Sequence, residues 1–130
     1  MASIPITTRL PVWMDREIRV YWERQGVKPS PGYRRTIEEW WVSANLPLLE
    51  FREGVAGRRA GVRGGPDVWE IALVGREIDD EGAQLEDHFG GHLSREAIQQ
   101  ALRYIRQFPE AIADQLRENE RVGQVLGGRA

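Results

Sequence analysis

Few side chains in this sequence stand at spacings that could do covalent chemistry. His88 and His92 lie four apart, the separation that puts two ligands on one face of a continuous helix. Gly90-Gly91 falls between them and breaks such a helix, and no third ligand is evident, so they read as two surface histidines. Gly57-Arg58-Arg59-Ala60-Gly61-Val62-Arg63-Gly64-Gly65 has the glycine density of a phosphate-binding loop. It lacks the lysine and hydroxyl that complete a nucleotide-binding loop, and reads as a hairpin instead. Asp79-Asp80-Glu81 charges the start of a helix, where the backbone dipole favours negative side chains. No serine or threonine has a convincing base partner, and cysteine is absent. The expectation is a protein that is not an enzyme and holds no metal or cofactor.

The bulk properties narrow the class further. A chain of 130 residues suits one domain or two very small ones. Absence of cysteine excludes a disulfide framework and fits a reducing cytoplasm. No apolar run approaches the roughly 18 residues that span a membrane, and the N-terminus lacks the regions of a signal peptide. Net charge is −2, but its distribution is uneven. Residues 1–41 carry seven basic and five acidic side chains, and 51–65 carry Arg52, Arg58, Arg59 and Arg63 against Glu53 alone. Residues 66–92 carry eight acids against Arg76 alone. Such a middle repels phosphate, so nucleic-acid contact is expected in the front and protein contact in the back.

The elements that must position the polar groups follow from spacing. Ile6-Thr7-Thr8-Arg9-Leu10-Pro11 alternates and is β-branched, so it reads as a short strand closed by proline. If Ile6, Thr8 and Leu10 face inward, Pro5, Thr7 and Arg9 face outward. Met14, Ile18, Tyr21 and Trp22 form one helical stripe, and Tyr33, Ile37, Trp40 and Trp41 repeat its spacing. The first helix is predicted from near Val12 to Gly26, and the second from an N-cap at Ser30 to about Ser43. Gly32 weakens the first turn of that second helix. One strand and two helices bury too little surface to fold alone, so the pattern implies a homodimer. Of the adjacent tryptophans, one can enter a dimer core while the other covers the next domain.

Ala44-Asn45-Leu46-Pro47 marks the expected boundary between domains 1–45 and 46–130. Beyond it, Leu48-Leu49-Glu50-Phe51 reads as a strand and the glycine-rich stretch to Gly65 as a turn region. Helices are expected from Pro66-Asp67, from about Asp80 to Gly90-Gly91, from a Ser94 cap, and from Pro109 to about Val122. The Ser94 helix should bury Ala97, Ile98, Ala101, Leu102 and Ile105, and the last helix Ile112 and Leu116. The fold class is mainly α with a short β-ribbon, followed by a small helix-turn-helix-like trihelical bundle with a short β-hairpin.

Two resemblances follow from these motifs. Arg9-Leu10-Pro11 and Gly26-Val27-Lys28-Pro29-Ser30, with both helical stripes in register, resemble the ribbon-helix-helix family of DNA-binding proteins over about 37 residues. That resemblance implies an antiparallel ribbon shared between two copies, with Ile6, Thr8, Leu10, Tyr33, Ile37 and Trp40 in the dimer core. Arg9 would fork onto guanine acceptors and Thr7 would meet a base, while Lys28 and the backbone N–H groups at Ser30 hold phosphate. From Phe51 to Glu120, Gly57-Arg58-Arg59-Ala60, Gly64-Gly65-Pro66-Asp67-Val68-Trp69-Glu70, Pro109-Glu110-Ala111-Ile112 and Arg117-Glu118-Asn119-Glu120 resemble the family called domain of unknown function 433. This family is similar to antitoxins encoded beside PIN-like nuclease toxins. The joint implication is a type II antitoxin that represses its own operator DNA and neutralises such a toxin. Arg117, Arg121 and Arg129 are candidates to enter its carboxylate-rich site. A stand-alone transcription regulator and a dimeric interaction module without DNA binding are the rival readings.

Overall fold

The computed structural model describes residues 2–54, 57–78, 83–89 and 91–127, and the chain divides into two compact units, 1–40 and 41–130. Among the described residues it is mainly helical with one short antiparallel two-stranded sheet. Among the described residues no helix is long and apolar enough to cross a membrane.

In the first unit, residues 2–11 have no regular secondary structure and all are exposed. The strand expected at Ile6–Pro11 is therefore not formed within the single chain, where it has no neighbour to pair with. Helix α1 runs Val12–Arg24. Its end is a Schellman motif: Val27 N–H donates to Trp22 O at 2.9 Å and Gly26 N–H to Glu23 O at 2.9 Å. Gly26 stands at φ 73°, the left-handed conformation that a side chain resists, so the expected helix end is formed.

Helix α2 runs Pro29–Asn45, starting one residue ahead of the expected cap. Gly32 N–H donates to Lys28 O at 2.9 Å, so Lys28 supplies the first helical acceptor and Ser30 lies inside the first turn. The helix also outlasts Ser43. Its last turn belongs to the second unit, where Val42 and Leu46 are buried.

The second unit holds the packed core. Strand β1 (Leu49–Arg52) pairs antiparallel with β2 (Arg59–Val62), in register Leu49 to Val62 and Arg52 to Arg59. A hairpin is thus present, its second strand lying within the stretch to Gly65 that the sequence reads as a turn region. Helices α3 (Val68–Ile78), α4 (Ala83–His88), α5 (Arg95–Gln107) and α6 (Pro109–Gly127) follow. Asp80 and Gly90, used to bound α4 by spacing, lie outside the described residues. Ser94 caps α5 as expected, its hydroxyl accepting from Ala97 N–H at 3.0 Å. Helix α6 continues beyond Val122.

Leu49, Val62, Val68, Ile71, Leu85, Ala97, Ile98, Ala101, Ile112 and Leu116 form one buried cluster with Val42 and Leu46. Tyr104 joins it, whereas Leu102 and Ile105 are only partly buried, so the inward stripe of α5 is rotated from the expected one. Its ring stacks on Phe108 at 4.8 Å between centroids and meets Phe51 edge-on at 6.4 Å. An aromatic row along the core boundary explains why the inward face turns toward position 104.

Candidate nucleic-acid interface

The first unit is held by very little. Trp22 is 2% exposed and is its one buried large hydrophobe among the described residues. The ring lies on the backbone of Gly32: a Cβ there would stand 2.8 Å from Trp22 Cγ, closer than carbon atoms pack. Gly32 therefore offsets its poor helix propensity by admitting the indole. Trp22 Nε1–H donates to Thr36 Oγ1 at 2.8 Å, and that hydroxyl donates to Gly32 O at 3.0 Å. The Arg35 guanidinium stands 6.0 Å over the same ring.

A second clamp joins the helices through polar groups. Asp15 accepts from the Tyr33 hydroxyl and from Arg19 Nε at 2.9 and 3.0 Å. The Tyr33 hydrogen bond, then Arg19, hold the Asp15 carboxyl below the usual carboxylate range. The same bond pushes the Tyr33 hydroxyl up and makes its proton harder to lose. Tyr33, expected in a dimer core, is thus half-buried with its polar end already engaged within the chain.

The remaining apolar positions face solvent. Ile6 is 72% exposed, Ile37 59% and Trp40 66%, and Leu10, Val12, Trp13, Val20 and Tyr21 are exposed as well. Met14 and Ile18 are half-buried. Trp41 behaves as the other member of the tryptophan pair: it packs edge-on to Phe108 at 6.1 Å, beneath the Arg103 guanidinium at 5.2 Å.

The polar candidates of the front are all accessible. Thr7 and Thr8 lie with Arg9 on the exposed N-terminal segment, and Lys28 and Ser30 are exposed at the start of α2. The α2 terminus offers fewer donors than the sequence suggests. Pro29 and Pro31 carry no N–H, and the N–H of Gly32 is already bonded, which leaves Ser30 as the first-turn donor. Lys28 and Pro29 line a groove of about 390 Å³ with Arg19, Glu23, Gly26 and Val27.

The basic loop of the back unit is neutralised from within. Asp67, 8% exposed, accepts from Arg52 Nη1 at 3.0 Å, from Arg59 Nε and from Trp69 Nε1 at 3.1 Å. Its own N–H donates to Glu70 Oε2 at 2.8 Å, closing the start of α3. Arg52 also donates to Glu50 at 3.0 Å and to Val62 O, and its guanidinium covers Gly61, where a Cβ would meet Cζ at 2.5 Å. Arg58 pairs with Glu53 at 3.2 Å, and Arg63 donates to Pro47 O at 2.9 Å. Arg52 and Arg59 build the hairpin–α3 junction, and two of the eight acids of 66–92 are used up there. Spacing could not reveal this, because residues 52, 59 and 67 meet only through the folded hairpin.

Other candidates are dispersed. Arg117 pairs with Asp114, and Arg121 Nε donates to Glu118 at 3.1 and 3.2 Å, both on the exposed side of α6. The Arg121 bond holds the Glu118 carboxyl below its ordinary range. Arg129 lies outside the described residues, as do Asp79, Asp80 and Glu81. His88 and His92 are both exposed, and no cluster among the described residues could hold a metal ion. No family model, no curated protein and no solved structure matches the chain.

Proposed function

We propose that the chain is the antitoxin of a type II toxin–antitoxin pair, acting as a dimeric ribbon-helix-helix repressor whose back unit engages a PIN-like nuclease. The observation that carries this reading is the exposure of apolar side chains in residues 6–40. Ile6, Leu10, Ile37 and Trp40 are exposed, and residues 2–11 have no regular structure and no strand partner among the described residues. Apolar area of that kind marks an interaction surface, and an unpaired extended segment is completed by another strand. A second copy supplies both at once: the two segments pair antiparallel, and Ile6, Thr8, Leu10, Ile37 and Trp40 become a shared core. The alternation of the segment then turns Thr7 and Arg9 away from that core toward DNA. Lys28 and the N–H of Ser30 add phosphate contacts at the start of α2.

The toxin-binding role rests on the resemblance of the back unit, together with the cationic side chains of α6. Arg117 and Arg121 already have carboxylate partners on their own helix. That favours, as a second reading, a stand-alone transcription regulator whose back unit supports the dimer. The test uses the protein with its own upstream DNA and with the product of any neighbouring small reading frame. Operator binding that Arg9→Ala weakens, plus co-purification of a nuclease, supports the antitoxin. Operator binding without any nuclease partner supports the regulator, and no DNA binding at all overturns both.

A further inference from the structure

Helix α5 presents a second polar surface that the reading above does not use. Arg95, Gln99, Arg103 and Arg106 follow one another at four-, four- and three-residue steps, which places them on one face of the helix. All four are exposed, while Ala97, Ile98, Ala101 and Tyr104 are buried on the opposite side. At 1.5 Å per residue this 13-residue helix is about 20 Å long. Glu96 is the one acid of α5, and it sits in the first turn.

Arg103 and Arg106 have no carboxylate partner among the described residues, in contrast to Arg117 and Arg121 of α6. Arg103 is also held in place, its guanidinium over the Trp41 ring at 5.2 Å. Stacking of that kind fixes the plane of the fork while leaving its edge N–H groups available to an anion, which lowers the ordering cost of binding. Gln99, between the arginines, adds both a donor and an acceptor.

The chemistry of the face selects its occupant. A protein interface needs a buried apolar or aromatic anchor at its centre. This face has none: its middle is Gln99 and Arg103, and Leu102 lies at its margin, half-buried. Arginine and glutamine without an apolar centre suit the phosphates and base edges of a duplex. We propose that the outward face of α5 binds duplex nucleic acid through Arg103 and Arg106, with Gln99 one turn before Arg103, as a surface separate from Thr7 and Arg9. Two of the eight acids of 66–92, Asp67 and Glu70, are bonded within the hairpin–α3 junction and do not oppose it.

The experiment measures binding of the full-length protein to a 20-base-pair duplex of arbitrary sequence by fluorescence anisotropy, over a series of salt concentrations. Arg103→Ala/Arg106→Ala should lower the slope of log affinity against log salt by about 1.8, the release expected for two phosphate contacts. Arg103→Lys/Arg106→Lys, which keeps the charge, should restore the slope, and Arg117→Ala/Arg121→Ala should leave it unchanged. The same loss should appear in an Arg9→Ala background, so failure of the front to bind DNA would not hide it. An unchanged slope in the folded alanine variant overturns the proposal. So does displacement of the duplex by polyglutamate at equal charge, which would make the face a site for an acidic protein.

Discussion

Residues 1–40 and 41–130 use aromatic and apolar side chains in opposite ways. Among the described residues of the back unit, Leu46, Leu49, Ile71, Leu85 and Ile98 are fully buried, and Trp41, Phe51, Trp69 and Phe108 pack partly buried against them. In the front unit one tryptophan is enclosed, and Ile6, Trp13, Ile37 and Trp40 face water. The two tryptophans at 40 and 41 show the contrast within one peptide bond. Trp41 rests on Phe108 in the back unit, and Trp40 has most of its surface in solvent. The back unit encloses one buried apolar cluster. The front unit has two helices clamped at Trp22–Gly32 and Asp15–Tyr33, and leaves most of its apolar side chains exposed.

The comparison can be broken first in the cores. Ile98→Ala should destabilise the back unit by about 2–5 kcal/mol, because its surroundings are close-packed on all sides. Ile37→Ala, of similar chemistry but exposed, should leave the fold of the single chain within about 0.5 kcal/mol and act only on self-association. Denaturant unfolding at low protein concentration separates the two. Equal costs would mean that the front apolar face is packed after all.

Asp67→Ala comes next. It strips one carboxylate from two guanidiniums and an indole N–H, and leaving a largely buried partner unpaired costs about 3 kcal/mol. Thermal unfolding should show the loss. Asp67→Asn should recover part of it by keeping a hydrogen-bond acceptor.

Gly32→Ala sharpens the account of the front. Alanine gains about 1 kcal/mol of helix propensity, but its Cβ would stand 2.8 Å from the Trp22 ring. Overpacking of that kind costs about 1–3 kcal/mol, so the net change should be destabilising. Quenching or a red shift of tryptophan emission would report displacement of the ring, and a stabilised variant would contradict the packing described.

The smallest effect is pH dependence at Asp15. The Tyr33 hydrogen bond and Arg19 hold its carboxyl below the ordinary carboxylate range, so its contribution is present above that range and is lost as pH falls through the folded pKa. Because the group is solvent-exposed, the change should be slight. It should vanish in Asp15→Asn, followed by helical circular dichroism between pH 5 and 2.

Local signals were legible in the sequence. Ser94 as a cap, Gly26 as a helix end, the hairpin around Gly57 and the inward Ile112 and Leu116 all depend on near neighbours or on one helical period. What was not legible depends on contacts far apart along the chain. Gly32 looks like a weak helix position until Trp22 is seen resting on it. The arginines at 52, 58, 59 and 63 look like a basic loop until Asp67 and nearby glutamates meet them. Ser30 looks like a cap, but Pro29 is itself compatible with the first helical position and moves the start to Lys28. The strand at Ile6–Pro11 has the right alternation and no partner in its own chain. The candidate interface was read in its residue types, while residues 2–11 form no regular structure in the single chain.

The central claim is that the front apolar face is covered by another copy of this chain. Sedimentation equilibrium of the full-length protein at micromolar concentration, with Ile37→Asp/Trp40→Asp alongside, tests it most directly. The account predicts a dimer for the native sequence and a monomer for the variant, with the back unit's near-ultraviolet signal unchanged. A native protein that sediments as a folded monomer at that concentration, with the front helices formed, would contradict it.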